Sequence, residues 1–132
     1  MDCFAHHYRN EYSMRDGCLL CNQKKYFEYI DRFNGLQNWG GDEQMLSLKI
    51  FLEGGQCYCL TDIEIGHLFQ EKPQKNRDIC NTIFNCYAIT YVTLPVAFHR
   101  NMLISLRSHQ YVREIMAMIN LNRATLMEAR KK

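Results

Sequence analysis

The run Asn38-Trp39-Gly40-Gly41-Asp42-Glu43 brings an indole, two glycines and two carboxylates into six consecutive residues. A glycine pair lets the backbone approach a ligand closely. A carboxylate at the start of a helix lies at its positive end, which favours the ionised form. An ionised acid beside an exposed Trp suits a sugar. The indole covers a pyranose face while the carboxylate accepts hydroxyl protons. The same run also fits a plain Gly-Gly turn with an aspartate cap and a tryptophan in the core. Farther along, Glu64-Ile65-Gly66-His67-Leu68-Phe69 holds one histidine among apolar neighbours. Taken alone, that pattern reads as a satisfied core imidazole.

These residues need elements to hold them. Residues 1–16 read as loop with a short edge element, and residues 17–21 as a buried strand. Asn22 is a suitable N-cap for a helix over 23–33, with Tyr26, Phe27 and Ile30 on one side. After a loop at 34–38, Asp42 is the expected N-cap of a strong helix with Met45, Leu48 and Leu52 in register. Gly54-Gly55 ends it. Residues 56–60 read as a strand, with Cys57 and Cys59 on one face, and 63–69 as a second extended piece. The polar stretch 71–77, with Pro73, is a loop. From residue 76 the pattern is helical. Ile79, Ile83, Tyr87 and Thr90 or Tyr91 share a face, Pro95 breaks the helix, a second helix covers 96–107, and a third runs from 110 to the end. In that third helix Val112, Ile115, Met116, Ile119 and Arg123 keep register. Three or four strands are too few for a doubly wound sheet, so the expected sheet either borrows strands or exposes edges that a homo-oligomer covers.

A length of 132 residues with 47% hydrophobic and 12% aromatic content suits one packed domain. The net charge is +2, but residues 1–66 carry six Lys/Arg against ten Asp/Glu, and 67–132 carry ten against four. Arg100, Arg107, Arg113 and Arg123 fall at helical spacing among apolar residues, which reads as helix surface and not as a nucleic-acid interface. A membrane surface is compatible with the basic half and is supported by nothing else. No secretory leader and no apolar run of spanning length is legible, so the expected location is cytoplasmic, with a membrane-peripheral one as the variant. Seven cysteines invite a zinc site from Cys18, Cys21, Cys57 and Cys59. On a strand, positions three apart point to opposite faces, and Leu19-Leu20 supply no turn, so free thiols are the expectation. His6, His7, His99 and His109 have no legible partners, and no phosphate-binding glycine loop or dinucleotide fingerprint occurs.

Order and spacing together say more. Trp-Gly-Gly-acid, a helix ending in Gly-Gly, a strand and a Gly-His-aliphatic-Phe element resemble the polypeptide N-acetylgalactosaminyltransferases and their bacterial relatives. That family has Trp-Gly-Gly-Glu before a helix and a Val-Gly-His-Val-Phe element. Asp42 and His67 lie 25 residues apart, much as in the family. Ser13-Met14-Arg15-Asp16-Gly17 is similar to its Thr-Met-Ala-Gly-Gly, and Lys25-Tyr26-Phe27 to its aromatic-bearing helix. The likeness covers about residues 13–70 and is looser beyond.

The resemblance implies an α/β fold: a partial GT-A (nucleotide-diphospho-sugar transferase) fold, with a few-stranded mixed sheet, helices and a C-terminal helical tail. Residues 1–132 would form one domain, with an acceptor and metal segment at 1–75 and the tail at 76–132. His67 would be one ligand of Mn²⁺ or another divalent cation that neutralises the leaving diphosphate. Asp42 would hold sugar hydroxyls in a retaining enzyme. In an inverting one, like the related β-1,4-galactosyltransferases with Trp-Gly-Gly-Glu-Asp, the base is the residue after the first acid, here Glu43. Asp16 and Gly17 would line the donor-sugar pocket and Trp39 would be its floor, with Gly40 and Gly41 also among the substrate-binding residues. The donor would be a nucleotide-diphosphate sugar carrying a hexose or N-acetylhexosamine, the acceptor a saccharide or a protein.

Three departures stand out. Asp42 is shorter than the family's Glu by one methylene, Asp16 adds bulk and charge where the family has Gly, and Gln70 replaces a basic residue. No βαβ region ending in Asp-x-Asp or Asp-x-His precedes residue 13, so the chain is expected to need a nucleotide-binding N-terminal half before it turns over. A glycan-binding module without catalysis and a small cysteine-rich zinc domain are the alternative readings.

Overall fold

The computed structural model describes residues 8–12, 23–60 and 78–131. Element order is β1 (Tyr8–Tyr12), α1 (Lys24–Tyr29), α2 (Asp42–Leu52), β2 (Cys57–Leu60), α3 (Ile79–Thr93), α4 (Val96–Leu106), α5 (Val112–Leu121) and α6 (Arg123–Lys131). The two strands pair antiparallel, with Tyr8 opposite Leu60, Glu11 opposite Tyr58 and Tyr12 opposite Cys57, and an irregularity between Tyr8 and Glu11. The expected strand at 56–60 is therefore present. Those at 17–21 and 63–69, the Asn22 cap and the loop at 71–77 lie outside the described residues.

The core gathers around α3. This helix is apolar around most of its circumference, so neighbours must cover it on several sides. α2, α4, α5 and α6 all pack against it. Phe84, Tyr87 and Ala88 of α3 join Leu106 of α4, Ile115 and Ile119 of α5 and Leu126 of α6 in one buried cluster. Asp78 starts α3 by accepting the Cys80 N–H on its side chain at 2.8 Å, an ordinary aspartate N-cap. Pro95 separates α3 from α4, as the sequence requires. At the far end, Arg130 of α6 donates to the Tyr91 carbonyl and, at 3.1 Å, to the Leu94 carbonyl. The cation thereby satisfies carbonyls that the end of α3 leaves without helical partners.

Several boundaries differ from expectation for local reasons. α1 stops at Tyr29, because Asp31 and Arg32 adopt left-handed φ of 62° and 51°. Its N-cap is Gln23. In α2 the buried set is Met45, Leu46, Ser47 and Lys49, whereas Leu52 is exposed. Lys49 is drawn inward by the carbonyls of Asp31 and Arg32, at 3.4 and 3.1 Å. The Gly54-Gly55 stop is as expected: Gly54 takes φ 77°, its N–H bonds the Phe51 carbonyl, and the Gly55 N–H bonds that of Ile50, a Schellman motif. Ile79 is exposed, and α3 instead buries Phe84, Asn85, Tyr87, Ala88 and Ile89. The expected third C-terminal helix is two, divided at Asn122, whose side chain bonds the Met118 carbonyl at 2.9 Å.

Candidate functional site

The run 38–43 forms a loop that turns directly into α2. The N-cap is Gly41, at φ 89°, and not Asp42. The first helical hydrogen bond, from the Met45 N–H to the Gly41 carbonyl at 2.9 Å, fixes that assignment. Asp42 is the first helical residue, and with Glu43 it forms an acidic first turn. Gly41 offers no side chain to cap the helix, and both carboxylates lie where the macrodipole is positive. Both residues are partly buried. Trp39 keeps 53% of its surface exposed, so a large apolar ring lies half open beside this acidic turn.

Three residues of the loop hold positive φ: Asn38 at 53°, Gly40 at 95° and Gly41 at 89°. The two glycines are not equivalent. A Cβ on Gly40 would meet nothing within 4 Å, so only its backbone conformation asks for glycine. A Cβ on Gly41 would lie 2.9 Å from Ile89 Cδ1 and 3.5 Å from Asn85 Cβ, because this residue sits directly on α3.

Asn85 of α3 holds the loop from beneath. It is 2% exposed. Its Oδ1 accepts the Gln37 N–H at 2.8 Å. Its Nδ2 faces three carbonyls, those of Gly40 at 2.6 Å, Gln37 at 2.9 Å and Trp39 at 3.3 Å. An amide nitrogen carries two protons, so the longest of these is the shared contact. Neighbouring positions on the same stripe of α3 extend the clamp. Asn38 Nδ2 donates to Asn81 Oδ1, and Asn81 Nδ2 to Asp78 Oδ2, each at 2.8 Å. From the other side, Gln37 Nε2 donates to Asn122 Oδ1 at 3.0 Å.

The fold thus brings Trp39, Gly40, Gly41, Asp42 and Glu43 into one loop-and-helix-start unit. Asp16, Gly17 and His67 lie outside the described residues, as do Cys18 and Cys21. Among the described residues, no group of three or more His, Cys, Asp or Glu could hold a metal ion. Cys57, Cys80 and Cys86 are free thiols. The residue that sequence reading passed over is Asn85. Its signal was present: Asp78, Asn81 and Asn85 recur at three and four in a helix that is apolar elsewhere, and a buried amide there must find polar partners or leave its burial uncompensated.

His99 also gains partners. It sits on α4 between Tyr87 and Tyr91, with ring centroids 6.3 and 4.9 Å away. Its buried Nδ1 has no hydrogen-bond partner among the described residues. Burial first, then the charges of Arg130 and Arg100, push its pKa below the ordinary value. Arg130 itself lies over the Tyr91 ring, 5.4 Å from its centroid.

No helix among the described residues is long and apolar enough to cross a membrane. No protein-family model matches the chain, and no solved structure matches it significantly. Curated proteins do. An inactive polypeptide N-acetylgalactosaminyltransferase-like protein 5 of Macaca fascicularis is 29% identical over 80 residues, 59% of this chain and 18% of that protein. Polypeptide N-acetylgalactosaminyltransferase 12 of Homo sapiens is 27% identical over 88 residues, 64% of this chain and 15% of its own length. Polypeptide N-acetylgalactosaminyltransferase 5 of Caenorhabditis elegans is 35% identical over 69 residues, 51% of this chain and 11% of its own. The matched region is under a fifth of the length of these three relatives. Over about half its residues, the chain is a distant sequence relative of proteins named as polypeptide N-acetylgalactosaminyltransferases.

Proposed function

We propose that this chain supplies the sugar-binding side of a glycosyltransferase site of GT-A type, with the Trp39–Glu43 unit as its centre. The observation that carries the reading is a half-exposed indole on a clamped loop that opens straight into an acidic helix start. In this reading Trp39 covers the apolar face of a hexose or N-acetylhexosamine, and Asp42 accepts its hydroxyl protons. Glu43 is the candidate base for an acceptor hydroxyl if the reaction inverts. The donor is a nucleotide-diphosphate sugar and the acceptor a saccharide or protein. Asp16 and Gly17, on resemblance alone, join the pocket. Mn²⁺ or another divalent cation at His67 belongs to the same proposal. Among the described residues no cluster would hold the ion, and His67 lies outside them. A cytoplasmic or membrane-peripheral location goes with the reading. One relative is named as inactive, so sugar binding, and not turnover, is the property to measure first.

Isothermal titration of the chain with uridine-diphosphate N-acetylgalactosamine, with and without Mn²⁺, tests the proposal. A Mn²⁺-dependent Kd in about the 1 μM–1 mM range supports it. Trp39→Ala should weaken binding about 2- to 10-fold through the lost ring contact. Circular dichroism should show the variant folded, so that the weaker uptake is read as lost binding. No heat from the unmutated chain at millimolar ligand rejects the reading. Equal uptake of free N-acetylgalactosamine without metal or nucleotide would replace transfer with plain glycan binding.

A further inference from the structure

Within the sugar-binding reading above, we propose that Asn85 is the positioning residue of the site: it sets the Trp39–Glu43 unit in its ligand-ready conformation from inside the core, without touching a ligand.

A side-chain amide in a helix has poor intrinsic propensity and, when buried, loses its water partners. Asn85 is nearly inaccessible, yet it is not left unpaired. Its oxygen and its NH₂ group both bond out of α3 to the backbone of residues 37–40. The loop takes an irregular path in which Asn38, Gly40 and Gly41 have left-handed φ, and the carbonyls of Gln37, Trp39 and Gly40 turn toward α3. Three carbonyls converging on one NH₂ group, together with one N–H returning to its oxygen, define the loop's path on both sides of Trp39. The amide is therefore a template for the loop. It fixes where the indole emerges and at what angle α2 begins.

The geometry also says what the residue does not do. Asn85 Oδ1 and Nδ2 are committed to backbone groups, and the side chain lies under the loop, so it contributes no contact to a sugar. Its effect on binding is the fraction of time the loop spends in the competent path. If the free loop held that path one tenth of the time, apparent affinity would fall about tenfold.

The chain's single tryptophan lies in this loop, so native-state emission of Trp39 reports its conformation directly. Asn85→Ala removes the template, and Leu106→Ala, a core change in α4 that makes no contact with the loop in this network, is the control. Under conditions where circular dichroism shows both variants folded, Asn85→Ala should shift Trp39 emission and increase its quenching by acrylamide at least about twofold, whereas Leu106→Ala should leave both as in the parent chain. Unchanged emission and quenching in a folded Asn85→Ala overturns the proposal.

Should Asn85→Ala fail to fold, hydrogen exchange in the unmutated chain decides. The Gln37 amide is bonded to a buried side chain, so strong protection supports the template and exchange at the rate of an open loop overturns it. Titration with uridine-diphosphate N-acetylgalactosamine and Mn²⁺ then separates the two claims. If the parent binds and folded Asn85→Ala binds about tenfold more weakly while Leu106→Ala stays within about twofold, positioning reaches the ligand. Equal affinity of parent and Asn85→Ala overturns that reach. Absence of binding by the parent rejects the sugar reading alone, and the tryptophan signal still decides the role of Asn85.

Discussion

Gly41→Ala should destabilise the chain more than Gly40→Ala, although the two glycines are adjacent and both have φ near 90°. At Gly40 (φ 95°) an added methyl meets nothing within 4 Å, so the loss is backbone strain alone, about 1–2 kcal/mol for an L-residue held in the left-handed region. At Gly41 (φ 89°) the same strain applies, and the methyl would also lie 2.9 Å from Ile89 Cδ1. No real methyl pair rests at that distance, so α3 or the Ile89 rotamer must give way. Overpacking of this kind costs about 1–3 kcal/mol, toward the lower end because the clashing atom is the tip of a side chain. The expected totals are about 1–2 kcal/mol for Gly40→Ala and about 2–4 kcal/mol for Gly41→Ala.

The assay is urea unfolding followed by far-ultraviolet circular dichroism, with equal slopes required across variants so that midpoints compare stabilities. A double-mutant cycle then isolates the contact. Ile89→Val deletes the δ-methyl and alone should cost about 0.5–1.5 kcal/mol. On the Gly41→Ala background the deletion relieves the clash, so its effect should fall to zero or reverse, a coupling of about 1 kcal/mol or more. Equal losses at the two glycines, together with strict additivity of Gly41→Ala and Ile89→Val, would show that the loop does not rest on α3 as described. Asn85 could then not hold the loop against α3 as a template.

Two further outcomes follow from the α3–α4–α6 side. His99 has a folded pKa below the ordinary 6.5, so the unfolded chain binds the proton more readily than the folded one. Stability is therefore full above about pH 6.5 and falls as pH drops below it. His99→Gln should flatten that acid-side decline in thermal midpoint, and an unchanged pH profile would refute the assignment. Arg130→Met keeps the apolar stem while removing the donors to the Tyr91 and Leu94 carbonyls, so it should cost about 1–2 kcal/mol in urea unfolding. Because Arg130 is also one of the charges that lower the His99 pKa, the same variant should weaken the acid-side decline. A stability loss with no change in pH profile would leave the helix cap and refute the electrostatic link.

The legibility of this chain followed the reach of each signal. Pro95 and Gly54-Gly55 act through their own backbone, and their effects were readable from residue type and position. The α2 start was misassigned by one residue because two competing caps stand side by side. A glycine in left-handed φ displaced an aspartate whose side chain would otherwise have served. The buried faces of α2 and α3 were less legible. Lys49 goes inward to the carbonyls that the turn at Asp31 and Arg32 offers, and Ile79 is exposed while α3 buries residues from its middle onward. These are tertiary facts, invisible to a count of three and four. The pairing of Trp39 with two acids was legible as a unit, since all of it lies within five residues.

The energetics explain why such a unit should be held from inside the core. Ordering one residue's backbone costs about 1–2 kcal/mol, so a loop of four residues that became ordered only on binding would forfeit about 4–8 kcal/mol of its contact energy to the ligand. A typical intramolecular hydrogen bond returns about 0.5–1.5 kcal/mol net, and Asn85 makes three strong contacts and one shared one to residues 37–40. Their sum is the right size to offset much of that ordering during folding, where α2 and α3 must pack in any case. An apolar residue at position 85 would suit the helix better and leave the loop's carbonyls unsatisfied. Trp39 keeps 53% of its surface exposed although the loop that carries it is held by a buried side chain. Rigidity at this point benefits recognition far more than stability, and that asymmetry separates a binding platform from a loop that merely joins α1 to α2.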